Sequence, residues 1–120
     1  MTTKDIAIDV AKLNEQGKFE EAGAKYWAND VLSVEPMTGE MAELRGKEAV
    51  LRKGEWWVKT HEVHSLKVEG PYINGDQFVL RFTLDVTNRE SRQRMTLDEV
   101  GLYTLKSGKI AEERFFFGGQ

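Results

Sequence analysis

Residues 94–117, RMTLDEVGLYTLKSGKIAEERFFF, decide the fold. They read as two long strands around a tight turn. Lys106-Ser107-Gly108 fits a three-residue hairpin loop, with Gly108 where a positive φ is needed. Such a loop sets Leu105 opposite Lys109, Tyr103 opposite Ala111, Gly101 opposite Glu113, Glu99 opposite Phe115 and Leu97 opposite Phe117. Side chains alternate along a strand. Met95, Leu97, Glu99, Gly101, Tyr103, Leu105, Ala111, Glu113, Phe115 and Phe117 therefore share one face. That face is mostly apolar, yet it carries two carboxylates and a glycine-sized gap, as a pocket lining does. A tighter turn is the alternative. It would set Arg114 and Glu112 beside Glu99 and Tyr103 as a solvated charge ladder. The first arrangement has the more coherent apolar set and is the expectation carried forward.

Upstream, Gln77–Thr87 alternates cleanly, with Phe78, Leu80, Phe82, Leu84 and Val86 inward. Asn74-Gly75 signals a two-residue hairpin before it. Glu62–Tyr72 places His64, Leu66, Val68 and Gly70 on one face, and Asn88–Gln93 is a polar turn. These strands form a meander.

The N-terminal half is helical. Thr3–Gln16 has an apolar stripe of Ile6, Val10 and Leu13, with Thr2 or Thr3 as its cap and Gly17 as its stop. Phe19–Ala28 is expected as a second helix, broken at Asn29-Asp30. Val31–Glu35 reads as a short strand ended by Pro36. Pro36–Arg45 reads as a loop, and Gly46–Thr60 as a third helix with Ala49, Val50, Lys53, Trp56 and Trp57 near one face. The expected class is α+β: a curved antiparallel sheet wrapped around three N-terminal helices, forming a cone with an internal pocket.

Composition bounds the function. A chain of 120 residues suits one domain, 1–120. A net charge of -3 argues against a nucleic-acid partner, which calls for a basic stripe. The absence of cysteine removes thiolate nucleophiles, thiolate metal sites and disulfides. No apolar run is long enough to span a bilayer, and the first residues lack a signal-peptide core, so the expected location is cytoplasmic. His61 and His64 have no evident third ligand, and no metal or other cofactor is expected.

Tyr26-Trp27-Ala28-Asn29-Asp30-Val31, Val34-Glu35-Pro36, Gly46-Lys47-Glu48-Ala49-Val50 and Ser107-Gly108-Lys109-Ile110 stand in a telling order. In that order the chain resembles the NTF2-like (cystatin-like) superfamily, which includes SnoaL-like polyketide cyclases and ketosteroid isomerases. The resemblance covers nearly the whole chain and implies the fold, not the reaction. Ketosteroid isomerases place a base carboxylate just before the proline of a similar segment, which implies that role for Glu35. A partly desolvated carboxylate there has a raised pKa and can take a proton α to a carbonyl. The acid those enzymes use as an oxyanion donor matches Gly101 here, and their helix-1 tyrosine falls near Asp9. Their oxyanion hole is therefore not carried over.

The residues themselves suggest a substitute. Glu113, opposite Gly101, would reach into the gap and donate to an enolate, with Glu99 one pleat away. Glu35, Glu99 and Glu113 are the candidate catalytic residues. Each has a plainer reading, as a rim carboxylate, a buried hydrogen-bonded pair or an ion pair. Tyr26, Trp27, Trp56, His64, Tyr103 and Phe115 are the candidate ligand-binding residues; as aromatics and a strand histidine they serve equally as core.

The implied function is binding of a small hydrophobic carbonyl compound, with cofactor-free isomerisation, cyclisation or dehydration if it is an enzyme. The alternative is a non-catalytic ligand-binding or protein-interaction module. Epoxide hydrolysis on a similar fold uses an Asp-Arg-Asp set, which Glu99, Gly101 and Glu113 do not reproduce. Phe116, expected outward with Val100 and Leu102, suggests a covered outer surface, and the resemblance implies a symmetric homodimer through that sheet face.

Overall fold

The computed structural model describes residues 1–117. The first helix, α1 (Thr3–Glu15), starts at a reciprocal cap. The Asp5 N–H donates to Thr2 Oγ1 at 3.1 Å, and the Thr2 N–H donates to the Asp5 carboxylate at 3.0 Å. Two otherwise orphaned donors are thereby satisfied. Its stripe of Ile6, Ala7, Val10 and Ala11 is buried. Gly17, at φ 76, turns the chain into α2 (Phe19–Tyr26).

The expected second helix ends two residues early, because Trp27 opens a strand, β1 (Trp27–Val34), and pairs with Ile110 of the last strand. Sheet pairing overrides local helix preference here. The expected loop at 36–45 contains a short strand, β2 (Glu43–Arg45), that folds back antiparallel on Leu32–Val34. Three residues are too few to show alternation. The third helix, α3 (Lys47–Thr60), matches its expected span to one residue. The strands β3 (His61–Asn74), β4 (Gln77–Asn88), β5 (Arg94–Lys106) and β6 (Lys109–Phe117) follow as the meander.

The sheet order is β2-β1-β6-β5-β4-β3. Every pairing is antiparallel except β1 with β6, which is parallel, so the sheet is mixed and not wholly antiparallel as expected. The reason is topological. The chain leaves β1, runs through α3 and the meander, and returns beside β1 in the same direction. The sheet curves around the helices without closing. Phe78, Leu80, Phe82, Leu84 and Val86 all face inward and are buried, as the alternation requires. Full burial of each large side chain contributes about 1.5–3 kcal/mol.

The hairpins depart from expectation in register. The β3–β4 turn is Gly75-Asp76, one residue later than Asn74-Gly75, and Asn74 pairs with Gln77. The β5–β6 loop is the tight one: Lys106 pairs with Lys109 around Ser107-Gly108, both at positive φ (53 and 76). A bulge at Ala111 then moves the ladder on, so that Thr104 meets Glu112, Tyr103 meets Glu113, Gly101 meets Phe115 and Glu99 meets Phe117. The extra residue restores the alternation that the tight turn would have reversed. Beyond the bulge the expected faces hold with each partner displaced by two residues; before it Ile110, not the expected Ala111, turns inward and pairs with Leu105.

Candidate active site

Between the helices and the concave face lies a cavity of about 390 Å³. Its walls are aromatic and aliphatic: Trp27, Trp57, Phe82, Tyr103 and Phe115 among them, with Trp56 at the rim, 48% exposed. Met37 and Met41, from the segment between β1 and β2, also line it.

Four charged side chains enter this apolar space: Glu35, Lys53, Glu99 and Glu113. Their positions follow from simple periods. Val31, Ser33 and Glu35 alternate inward along β1 and its extension. Val50, Lys53 and Trp57 share the inward stripe of α3. Glu99, Tyr103, Glu113 and Phe115 come from the inner face of the β5–β6 hairpin.

Lys53 is the hub. Its ammonium donates to Ser33 Oγ at 2.6 Å and to Glu35 Oε1 at 3.1 Å. The Lys53 and Glu35 side chains are only 13% and 15% exposed. The same nitrogen stands 5.6 Å from the centre of the Phe115 ring. Ser33 is fully buried and lies beside Glu113 across the parallel ladder.

Glu113 is 5% exposed, and its Oε1 has no hydrogen-bond partner among the described residues. Burial pushes its carboxyl up to about 7; the Glu35 charge adds to this, while Lys53 and Trp27 oppose it. Burial also raises Glu99 to about 7, helped by Glu35 and, last, by Glu113, with Lys53 opposing. The expected close Glu99–Glu113 pair is not formed. Glu113 faces Tyr103 rather than Gly101, and Glu99 faces Phe117, two pleats further along. The gap at Gly101 is filled instead by Tyr103 and Phe115, whose rings stand 3.0 and 3.1 Å from where a Cβ would be. The Tyr103 hydroxyl is raised well above its ordinary value, chiefly by burial.

Three carboxylates share one lysine, so full ionisation would leave the cavity with excess negative charge. Keeping Glu99 and Glu113 protonated near neutrality relieves it. The arrangement therefore offers an ion-paired carboxylate beside two neutral carboxylic acids, each able to lose or gain a proton at working pH.

Two expected ligand-binding residues lie elsewhere. Tyr26 is buried, but its hydroxyl donates to Asp9, which also accepts from Lys25 at 2.7 Å; it ties α2 to α1 and does not line the cavity. His64 sits at a bulge between Val63 and Ser65, exposed, with Nε2 2.7 Å from Thr87 Oγ1. The bulge breaks the alternation, so His61 enters the cavity instead, stacked on Trp57 with ring centres 4.6 Å apart. Arg114 lies off the cavity and contacts Glu112 at 3.4 Å.

Lys53, Ser33, Trp57 and His61 were not among the expected site residues. A lysine on an otherwise apolar helix stripe, and a serine in the inward series of a strand, are the signals that mark the first two.

No curated protein matches the chain. A solved structure from Mesorhizobium loti shares 54% identity over 98% of this chain and 100% of its own, with a TM-score of 0.94. That protein is described as a candidate SnoaL-like polyketide cyclase, with carbohydrate phosphatase given beside it. More distant structures share the fold. A candidate isomerase from Bacillus subtilis has 13% identity, covers 98% of this chain and 90% of its own, and has a TM-score of 0.81. A cystatin-like protein of unknown function from Xanthomonas campestris has 19% identity, 100% and 93% coverage, and a TM-score of 0.81. The family model for the SnoaL-like domain matches residues 1–117, and the chain belongs to that family.

Proposed function

We propose that the cavity binds a small hydrophobic carbonyl compound and rearranges it by cofactor-independent acid–base chemistry: isomerisation, cyclisation or dehydration. The observation that carries this reading is the convergence of Glu35, Glu99 and Glu113 on Lys53 within one apolar cavity. Glu35 takes the proton α to the carbonyl. The Lys53 ammonium, held by Ser33, stabilises the charged partner without leaving its place. Glu99, the neutral acid that responds to Glu35, donates a proton to the oxygen of the developing enolate or alkoxide. Trp27, Trp56, Trp57 and Phe115 position the apolar body and keep water out.

The test is exchange of deuterium into the α-carbon of apolar ketones, lactones and aromatic polyketides that raise the melting temperature. Glu35→Gln should keep binding and lose exchange by about a hundredfold or more. Unchanged exchange in Glu35→Gln would remove Glu35 from the role of base.

One observation favours the second reading, a non-catalytic binding module. Glu35 is already engaged by Lys53, as a purely structural ion pair would be. Tight ligand binding with no exchange in the wild type would select it.

The assembly proposed is a symmetric homodimer through the outer sheet face. Phe116 there is 47% exposed and pairs with Val100, with Leu102 one pleat along. The ion pairs Arg81–Asp98 and Arg94–Asp85 flank this patch along β4 and β5.

A further inference from the structure

Lys53 is committed to Ser33 and Glu35, while Glu113 is enclosed with an oxygen that nothing described satisfies. A buried acceptor without a partner costs about 1–3 kcal/mol, and a donor brought by a ligand recovers it. The charged groups facing Glu113 are Glu35 from the end of β1, Lys53 from α3, and Glu99 from β5; Tyr103 from β5, Asn14 from α1 and His61 at the α3–β3 junction also face the cavity. Lys53 is already paired with Glu35, so an anionic ligand meets no uncommitted lysine or arginine among the described residues of the lining, and it would oppose ionisation of Glu99 and Glu113. The cavity wall is aromatic, with Trp27, Trp57, Phe82 and Phe115 in its lining, and the Lys53 ammonium already stands over the Phe115 ring at 5.6 Å, so the wall is one that accommodates a cation.

We infer that the ligand carries a basic nitrogen: a hydrophobic amine, protonated, whose N–H donates to Oε1 of Glu113 while its apolar body lies against the aromatic wall. This rests on the reading of the cavity as a ligand site and narrows its substrate class to amine-bearing compounds. Glu35 and Glu99 remain for proton chemistry at the carbonyl. The bound ammonium draws Glu113 into its ionised form, so binding near pH 7 releases a proton from the carboxyl to solvent.

Three probes of one size separate the possibilities in titration calorimetry on the purified protein: naphthylethylamine, naphthylethanol and naphthylacetate. The amine should bind about tenfold or more tighter than the alcohol, and the acetate weakest. Amine affinity should rise between about pH 6 and 8, and its enthalpy should depend on the buffer, as proton release requires. Glu113→Gln, nearly isosteric, should abolish the amine preference and leave the alcohol unchanged, with a melting curve confirming the fold. Equal or tighter binding of alcohol or acetate overturns the inference but leaves the cavity a ligand site. Amine preference intact in Glu113→Gln overturns it as well. If no probe binds, in wild type or variant, the ligand-site reading falls with it.

Discussion

Lys53 and Ser33, twenty residues apart in the chain, meet at 2.6 Å inside the fold, and that contact aims the only lysine lining the cavity among the described residues at Glu35. Ser33 accepts from the ammonium and turns it away from bulk water. Lys53 lowers both Glu99 and Glu113, so its charge reaches all three acids.

Removing that charge should therefore be felt widely. Lys53→Met should move the titrations of Glu99 and Glu113 above about 7, read from carboxyl carbon resonances across a pH series. It should also cost about 1–3 kcal/mol in urea unfolding at neutral pH, since Glu35 is left poorly solvated and unpaired. Unmoved carboxyl titrations would show that Lys53 does not govern the acids.

Stability should fall as pH rises from 4.5 to about 7 and then level off, as far as Glu99 and Glu113 decide it. Both are raised in the fold, so the unfolded chain loses its protons first and gains stability relative to the native state over that window. Each contributes on the order of 3 kcal/mol at most. Glu113→Gln should flatten the profile and stabilise the protein at pH 8 relative to wild type. Denaturant midpoints at several pH values measure it.

Gly23 lies one helical turn before Trp27, and a Cβ there would overlap the Trp27 indole. Gly23→Ala should displace that ring from the cavity wall, outweighing the roughly 1 kcal/mol gain in helix propensity. The expected result is weaker ligand binding with a shifted tryptophan emission. Unchanged emission and affinity would mean the helix absorbs the methyl group.

The Ser107-Gly108 turn holds Ser107 at φ 53, a conformation asparagine adopts more readily than serine. Ser107→Asn should stabilise by about 0.5–1 kcal/mol in urea unfolding without altering the cavity. A loss of stability would argue that the serine hydroxyl has a role of its own.

Phe116→Asp places a charge on the outer patch without touching the cavity. If that patch joins two copies, the substitution should convert a dimer to a monomer in light scattering. A dimer that survives it puts the contact elsewhere.

The sequence alone determined most of the residues that turn inward. Alternation in 77–87 and 94–105, the apolar stripes of the helices and the glycines at the turns are local properties, legible because burial acts on every second or every third and fourth residue, whereas at the bulge Ile110 replaces the expected Ala111. Glu99 and Glu113 were legible for the same reason, since charge in an apolar series is conspicuous; Glu35 was marked instead by its place before Pro36 in a segment that resembles ketosteroid isomerases. Tertiary structure decided what those side chains meet. The bulge at Ala111 set Glu113 against Tyr103 rather than Gly101, and the bulge at His64 exchanged one histidine for the other. A bulge adds one residue wherever long-range pairing requires it, and little in the local pattern announces it. Nor does local pattern bring α3 against β1, where Lys53 finds Ser33 and Glu35. That meeting depends on the parallel return of β6 beside β1, a choice made by the packing of the whole sheet.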